Sequence, residues 1–104
     1  MSLVKIKKLH PDAILPTYGS ETAAGADLYA LLEETLEIPA HTTVKIHTGL
    51  SMEIPVGYAG FIYARSSMGT KQGLAPANKV GVIDSDYRGE VMVCLHNHSN
   101  TTQT

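Results

Sequence analysis

From Val44 to Ile54 every second residue is apolar or threonine: Val44, Ile46, Thr48, Leu50, Met52 and Ile54. A period of two places those side chains on one face of an extended strand, whereas a helix returns to the same face only every 3.6 residues. Gly49, in the middle of the run, predicts a bulge or bend. The same alternation recurs where Val4 and Ile6 interleave with Lys5 and Lys7. Gly57 to Ala64 reads as a strand with Phe61 and Tyr63 on one face, and Val91, Val93 and Leu95 mark a last strand. Pro39 and Pro55 close the flanking segments, and His10 to Thr22, with Pro11, Pro16 and Gly19, reads as a loop. Leu31 to Leu36 and Met68 to Gln72 each allow a single helical turn, but no segment sustains a 3.6 period. Many short strands with Gly/Pro punctuation predict an all-β fold, namely a sandwich, jelly roll or barrel. Asn97 to Thr104 reads as a polar tail, and there is no internal repeat or linker.

The chain has 104 residues, which predicts one domain over 1–104. A domain of this size buries only about 65% of the surface its unfolded chain exposes, so an oligomer or partner is an expected source of added stability. Net charge is −2, and Lys5, Lys7 and Lys8 are the densest basic stretch. The electrostatic footprint of a duplex-binding protein is missing, so no nucleic-acid partner is expected. The lone Cys94 excludes an internal disulfide and fits a reducing compartment. No apolar run approaches the roughly 20 residues that span a bilayer, and no signal-peptide core opens the chain. These features predict a soluble, cytoplasmic protein with no membrane partner. Met1-Ser2-Leu3 can be read as an expression leader.

Three clusters carry candidate chemistry. In Ala23-Ala24-Gly25-Ala26-Asp27-Leu28-Tyr29-Ala30, small residues let the backbone approach a ligand closely, and Asp27 stands where a strand begins. Alone, this is equally a glycine turn whose Asp caps local amides. Alternatively, Asp27 is an oxygen ligand acting on a divalent cation through water. In Ala64-Arg65-Ser66-Ser67-Met68-Gly69-Thr70-Lys71-Gln72-Gly73, hydroxyls, a guanidinium and flexible backbone suit phosphate oxygens. The spacing is not that of a P-loop, and a solvated Ser/Gly turn is the plain alternative.

The third cluster, Gly81-Val82-Ile83-Asp84-Ser85-Asp86-Tyr87-Arg88-Gly89-Glu90, is entered from Val80 and left through Gly89 into Val91 to Leu95. That layout predicts a hairpin whose tip holds a base candidate, a flat ring and a cation. Asp84 is the general-base candidate, and Tyr87 offers a face to a sugar or base. Asn78, just upstream, presents both a donor and an acceptor to a pyrimidine edge. An Asp-rich turn with Tyr87 as a half-buried strand residue is the alternative. Cys94, His96 and His98 alternate and are zinc-ligand types, but a fourth ligand is not locally spaced, so a solvent-facing strand edge is the preferred reading.

Taken together and in order, the clusters resemble the first three of five motifs of the trimeric dUTPase family (deoxyuridine triphosphate nucleotidohydrolases). Ala24 to Leu28 is similar to the first, Arg65 to Gly69 to the second and Gly81 to Glu90 to the third, with the resemblance running from about Val4 to Asn97. It implies a distorted jelly-roll, β-clip-like fold and a homotrimer with active sites at subunit interfaces. The implied reaction is Mg²⁺-dependent hydrolysis of dUTP to dUMP and pyrophosphate, which clears the nucleotide pool and supplies dUMP for thymidylate synthesis. By resemblance, Arg65, Ser66, Ser67 and the Gly69 amide would hold the phosphates. Asn78 and the backbone of Val82 and Ile83 would read uracil, with a further backbone contact near Met92. Asp84 would bind the 3′-hydroxyl and orient the attacking water, Tyr87 would pack on the sugar, and Asp27 would support the metal's water shell.

The family continues with a Gly-x-Arg-x-x-Gln-type fourth motif and a Gly-rich fifth, whereas this sequence stops at Gln103-Thr104. The expectation is therefore a chain lacking the last strands and the C-terminal arm, with weak or no turnover. Two alternatives stand beside hydrolysis: a non-catalytic nucleotide-binding or regulatory module of the same fold, and a dCTP deaminase relative. The second lacks a convincing catalytic Glu.

Overall fold

The structure is a computed structural model that describes residues 3–104, so the first two residues of the Met1-Ser2-Leu3 leader lie outside the described residues. Among the described residues six strands form two antiparallel sheets. They are β1 (Lys5–Lys8), β2 (Thr43–Glu53), β3 (Gly60–Ile62), β4 (Leu74–Pro76), β5 (Gly81–Ile83) and β6 (Glu90–Asn97). The larger sheet runs β1-β2-β6-β4, and the smaller pairs β3 with β5. The all-β expectation therefore holds, on a jelly-roll-like plan.

The long alternating run becomes β2, the spine of the larger sheet. It pairs with β1 from Lys5↔Glu53 to Lys8↔Leu50 and with β6 from Thr43↔His96 to His47↔Met92. The register then breaks before Ser51↔Glu90, so four steps along β2 match two along β6. Gly49 sits in that break at φ 70°, in the left-handed region where glycine carries no side-chain penalty. A Cβ there would lie 3.0 Å from the side chains of both Ala13 and Leu31. Past His47 the alternation is lost, and Thr48 through Met52 are all buried. The bulge turns the strand while the His10–Ala13 loop and Leu31 close over it.

The core lies between the sheets. Leu50, Met52 and Val91 come from the larger sheet and Ile83 from the smaller, joined by Ile54 and Ala13, with Ile6, Leu28 and Ile62 at the margin. Fully burying a side chain such as Leu50 contributes about 1.5–3 kcal/mol. The buried hydroxyls are satisfied: Thr48 Oγ1 donates to Val91 O at 2.6 Å and Ser51 Oγ to Arg88 O at 2.7 Å.

Four sequence expectations need correction. The Gly57–Ala64 strand contracts to β3, three residues long. Leu31–Leu36 is not helical: the Leu31 N–H is drawn to His47 O on β2 at 2.8 Å, and the chain continues as an irregular segment bent at Glu33–Glu34. Met68–Gln72 does form one helical turn, of the wide π type over Ser67–Gln72. Asn97–Thr104 is not a loose tail. Asn97 is fully buried, and its Nδ2 donates to Ile38 O at 2.9 Å and Thr101 O at 2.8 Å. Its Oδ1 accepts from Ser99 N and Ser99 Oγ, and an Ile38↔Gln103 bridge follows.

The fourth correction bears on the site. The predicted hairpin between Val80–Ile83 and Val91–Leu95 does not pair those two runs. Its arms are β4 and β6, joined from Leu74↔Asn97 to Pro76↔Leu95 and extended by Ala77 N to Cys94 O at 2.7 Å. β5 leaves that pair and bonds β3 instead, in the register Phe61↔Val82. The cause is burial: with β5 on the smaller sheet, Ile83 closes the core from the side opposite Leu50.

Candidate functional site

Peeling β5 away from β6 leaves a gap. β5 bonds on one side only, to β3, while β6 from Glu90 to Val93 bonds on its β2 side only. Between them lies a pocket of about 240 Å³ lined by Asn78, Gly81, Met92 and Cys94, with Ile62 and Pro76 among its apolar walls. Two unpaired strand edges flank a flat space. Backbone N–H and C=O groups there remain available to a ligand, since each is a strong hydrogen-bonding group without a ladder partner. Asn78 sits at the turn beside this pocket, where Val80 N donates to Asn78 O at 2.8 Å. Its neighbour Lys79 is held at φ 72°, a strained value for a residue with a side chain.

The Asp84–Gly89 turn follows directly from β5. Tyr87 N donates to Asp84 O at 3.1 Å, and Arg88 Nη1 donates to Ser85 O at 2.6 Å. The Asp84 carboxylate is exposed, and among the described residues it joins no ion pair. The Tyr87 side chain is held at its hydroxyl end. Its ring lies over Gly89, where a Cβ would fall 2.7 Å from the hydroxyl oxygen, and its hydroxyl donates to Glu90 O at 2.7 Å. The result is a ring held in one place with 41% of the residue open to solvent. Val82 points outward beside Phe61 and Ile83 points into the core, and neither residue lines the pocket between β5 and β6.

Arg65 and Asp27, from separate clusters, meet: Arg65 Nη1 lies 3.5 Å from Asp27 Oδ2. Both line a larger cleft of about 680 Å³, with Tyr29, Phe61, Tyr63 and Met68. Asp27 belongs to no strand. It forms an isolated bridge with Thr17, through Asp27 N to Thr17 O at 2.6 Å and Thr17 N to Asp27 O at 3.2 Å. Ser66 and Ser67 are exposed at the start of the helical turn, and no side chain caps it. The Gly69 N–H is engaged within the turn, donating to Arg65 O at 2.9 Å. Among the described residues no three His, Cys, Asp or Glu side chains lie close enough to hold a metal ion. His96 bonds Thr43 and packs edge-on against His98.

One chain thus groups Asn78 with Met92, and Asp27 with Arg65. Asp84, Tyr87, Ser66, Ser67 and Gly69 line neither cavity. Sequence reading missed Glu90, whose carboxylate accepts from His47 Nδ1 and from Gly49 N, both at 2.9 Å. His47 holds its carboxyl below the ordinary value of 4.5, helped by the Gly49 amide. No local signal marks it, because its partner lies 43 residues away.

The dUTPase family profile matches residues 11–104. A deoxyuridine 5′-triphosphate nucleotidohydrolase of Desulfitobacterium hafniense is 48% identical over 100 residues, covering 93% of this chain and 66% of that protein. One from Picosynechococcus sp. is 45% identical, covering 94% of this chain and 68% of that protein. Among solved structures, a mutant dUTPase of phage phi11 of S. aureus, described with a structural Mg(II) ion, superimposes with a TM-score of 0.83 at 26% identity. That match covers 94% of this chain and 61% of the phage protein. A phage 80alpha dUTPase mutant with dUpNHpp gives 0.84 at 27% identity, covering 95% and 56%. The chain therefore spans about two thirds of the length of its curated relatives.

Proposed function

This chain belongs to the dUTPase family, and we propose that it acts as a single dUTPase-like domain hydrolysing dUTP to dUMP and pyrophosphate. The observation that carries the reading is the flat pocket between the unpaired edges of β5 and β6, beside Asn78. A uracil edge alternates acceptor, donor and acceptor, as a strand edge does, so it can take the place of the missing ladder. In this reading the backbone of Val82 and Ile83, the Asn78 amide and the Met92 backbone read the base. Close walls exclude a thymine methyl group, and the fixed Tyr87 ring packs on the sugar and excludes a 2′-hydroxyl.

Hydrolysis needs a water in line with the α-phosphorus and a group to take its proton. We assign that role to the Asp84 carboxylate, which is exposed and uncommitted. The new P–O bond forms as the bond to the bridging oxygen breaks, and pyrophosphate leaves. Arg65, Ser66 and Ser67 hold the phosphates. The Gly69 amide joins them only on leaving Arg65 O, and the Arg65 guanidinium turns from Asp27 to do so. Asp27 would act on the metal through its water shell, which fits Mg²⁺ because that ion usually keeps several waters and binds largely through substrate phosphates. When bound, Mg²⁺ would neutralise charge on the triphosphate.

The separation of the Asp27–Arg65 and Asn78–Met92 groups within one chain, with Asp84 and Tyr87 outside both cavities, favours a homotrimer whose sites form between subunits. Among the described residues no helix is long and apolar enough to cross a membrane, and we place the protein in the cytoplasm with a small-molecule substrate and no nucleic-acid partner.

The test is pyrophosphate release from dUTP with Mg²⁺, run beside dTTP, UTP and dCTP and beside calorimetry with dUpNHpp. Any release from this chain is expected to be weak and from dUTP alone, and Asp84→Asn should abolish it while leaving the fold intact. Absence of both release and analogue binding would sink the reading. Binding without release would leave the non-catalytic module, and ammonia release from dCTP the deaminase.

A further inference from the structure

The turn carrying Asp84 and Tyr87 is tied to the larger sheet by side chains where the strand ladder is broken. Across the bulge, Ser51 Oγ reaches Arg88 O, Thr48 Oγ1 reaches Val91 O, and His47 and Gly49 both reach the Glu90 carboxylate. Two of these residues also touch Tyr87: Arg88 Nη1 donates to the Tyr87 main-chain O at 3.2 Å, whereas Glu90 reaches the ring itself, its own carbonyl accepting the Tyr87 hydroxyl at 2.7 Å. Glu90 is thus anchored through its side chain to β2 and holds the ring through its main chain. We propose that Glu90 is the positioning residue of the nucleoside turn, fixing the Tyr87 ring and the Asp84 approach relative to β2. The proposal rests on the functional reading above for its effect on ligand, but not for the clamp itself.

The geometry separates the clamp from ordinary packing. Glu90 lies at the mouth of the turn, and its two carboxylate oxygens take different donors: Oε1 meets the His47 ring and Oε2 the Gly49 amide. Gly49 is where β2 carries its left-handed residue, so without Glu90 its N–H would lose its partner beside a closely packed Ala13 and Leu31. The charged groups nearby are few. His47 faces Glu90 from β2, while Arg88 on the turn is drawn away toward Glu53, 3.9 Å off. Protonating Glu90 weakens the His47 contact, so the clamp loosens in acid.

The test compares Glu90→Ala and Glu90→Gln with the wild-type chain. Glutamine keeps an acceptor for Gly49 N and a group able to bond His47, so it should restore what alanine loses. In the ligand-free protein, Glu90→Ala should speed exchange of the Tyr87 amide while amides of β1 and β4 stay as they are. The wild-type Tyr87 ring resonances should follow an acid titration that Glu90→Gln abolishes. Affinity for dUpNHpp should fall about 10- to 100-fold in Glu90→Ala, the scale of a slightly misplaced site. An unchanged Tyr87 amide, or faster exchange spread equally over β1 and β4, would overturn the clamp. If the wild-type chain does not bind dUpNHpp, the functional reading fails, and the exchange and titration arms still decide the clamp.

Discussion

Gly89 leaves no room for a side chain, because the Tyr87 ring occupies the space: a Cβ there would lie 2.7 Å from the hydroxyl oxygen and 2.8 Å from Cζ. The glycine that looks like turn punctuation in the sequence is the floor under an aromatic ring. Gly89→Ala should therefore act on the ring before it acts on the fold. The expected outcome is loss of the Tyr87–Glu90 bond, worth about 1 kcal/mol, and about tenfold weaker dUpNHpp binding by calorimetry. Unchanged affinity would mean that Tyr87 does not contact the nucleoside. Asp84 and Tyr87 were legible as candidates because a carboxylate and an aromatic ring carry their chemistry in the residue type itself. Glu90 was not, since its meaning comes from His47 and Gly49 on another strand.

At the level of elements, the segment Asn97–Thr104 shows how a polar composition conceals order. All four polar capacities of the Asn97 amide are used, and His41 N adds a bond to its carbonyl at 2.9 Å. Removing the amide leaves Ile38 O, Thr101 O and the Ser99 groups without it. Asn97→Ala should cost on the order of 4 kcal/mol, at about 1 for each of the four bonds lost. The denaturant midpoint reads this directly, and an unchanged midpoint would show the segment to be detached in solution. The strands were read from their alternation; β3, short and flanked by exposed aromatics, was overestimated because Gly57–Ala64 keeps a strand's composition beyond the three residues that find a partner.

For the molecule as a whole, two depressed pKa values act in the same direction. Loss of solvent around the His98 ring, and then the neighbouring His96, Lys79 and His41, hold it below its ordinary 6.5, and His47 holds Glu90 below 4.5. In both cases the unfolded chain binds protons more readily than the folded one. Stability is therefore full above those ordinary values and is lost as pH falls through the lower folded-state values. Urea midpoints should drop as pH falls below the ordinary 6.5 through His98, and again in stronger acid through Glu90. His98→Gln should flatten the first step only. A first step that survives that substitution would place its origin elsewhere in the protein.

The sequence by itself determined what depends on neighbours along the chain: the period of two that makes β2, the glycine that breaks it, and the order of three motifs that marks the family. It also marked which residues can carry chemistry, because Asp, Arg, Ser and Tyr bring their functional groups wherever they are placed. Tertiary structure alone decided which strand pairs with which, and so turned a predicted hairpin into a parting of β5 from β6 with a pocket between. It also brought Arg65 to Asp27, and Glu90 to His47. Such pairings are set by burial of one common core, and that free energy depends on the whole arrangement and not on any local window of residues.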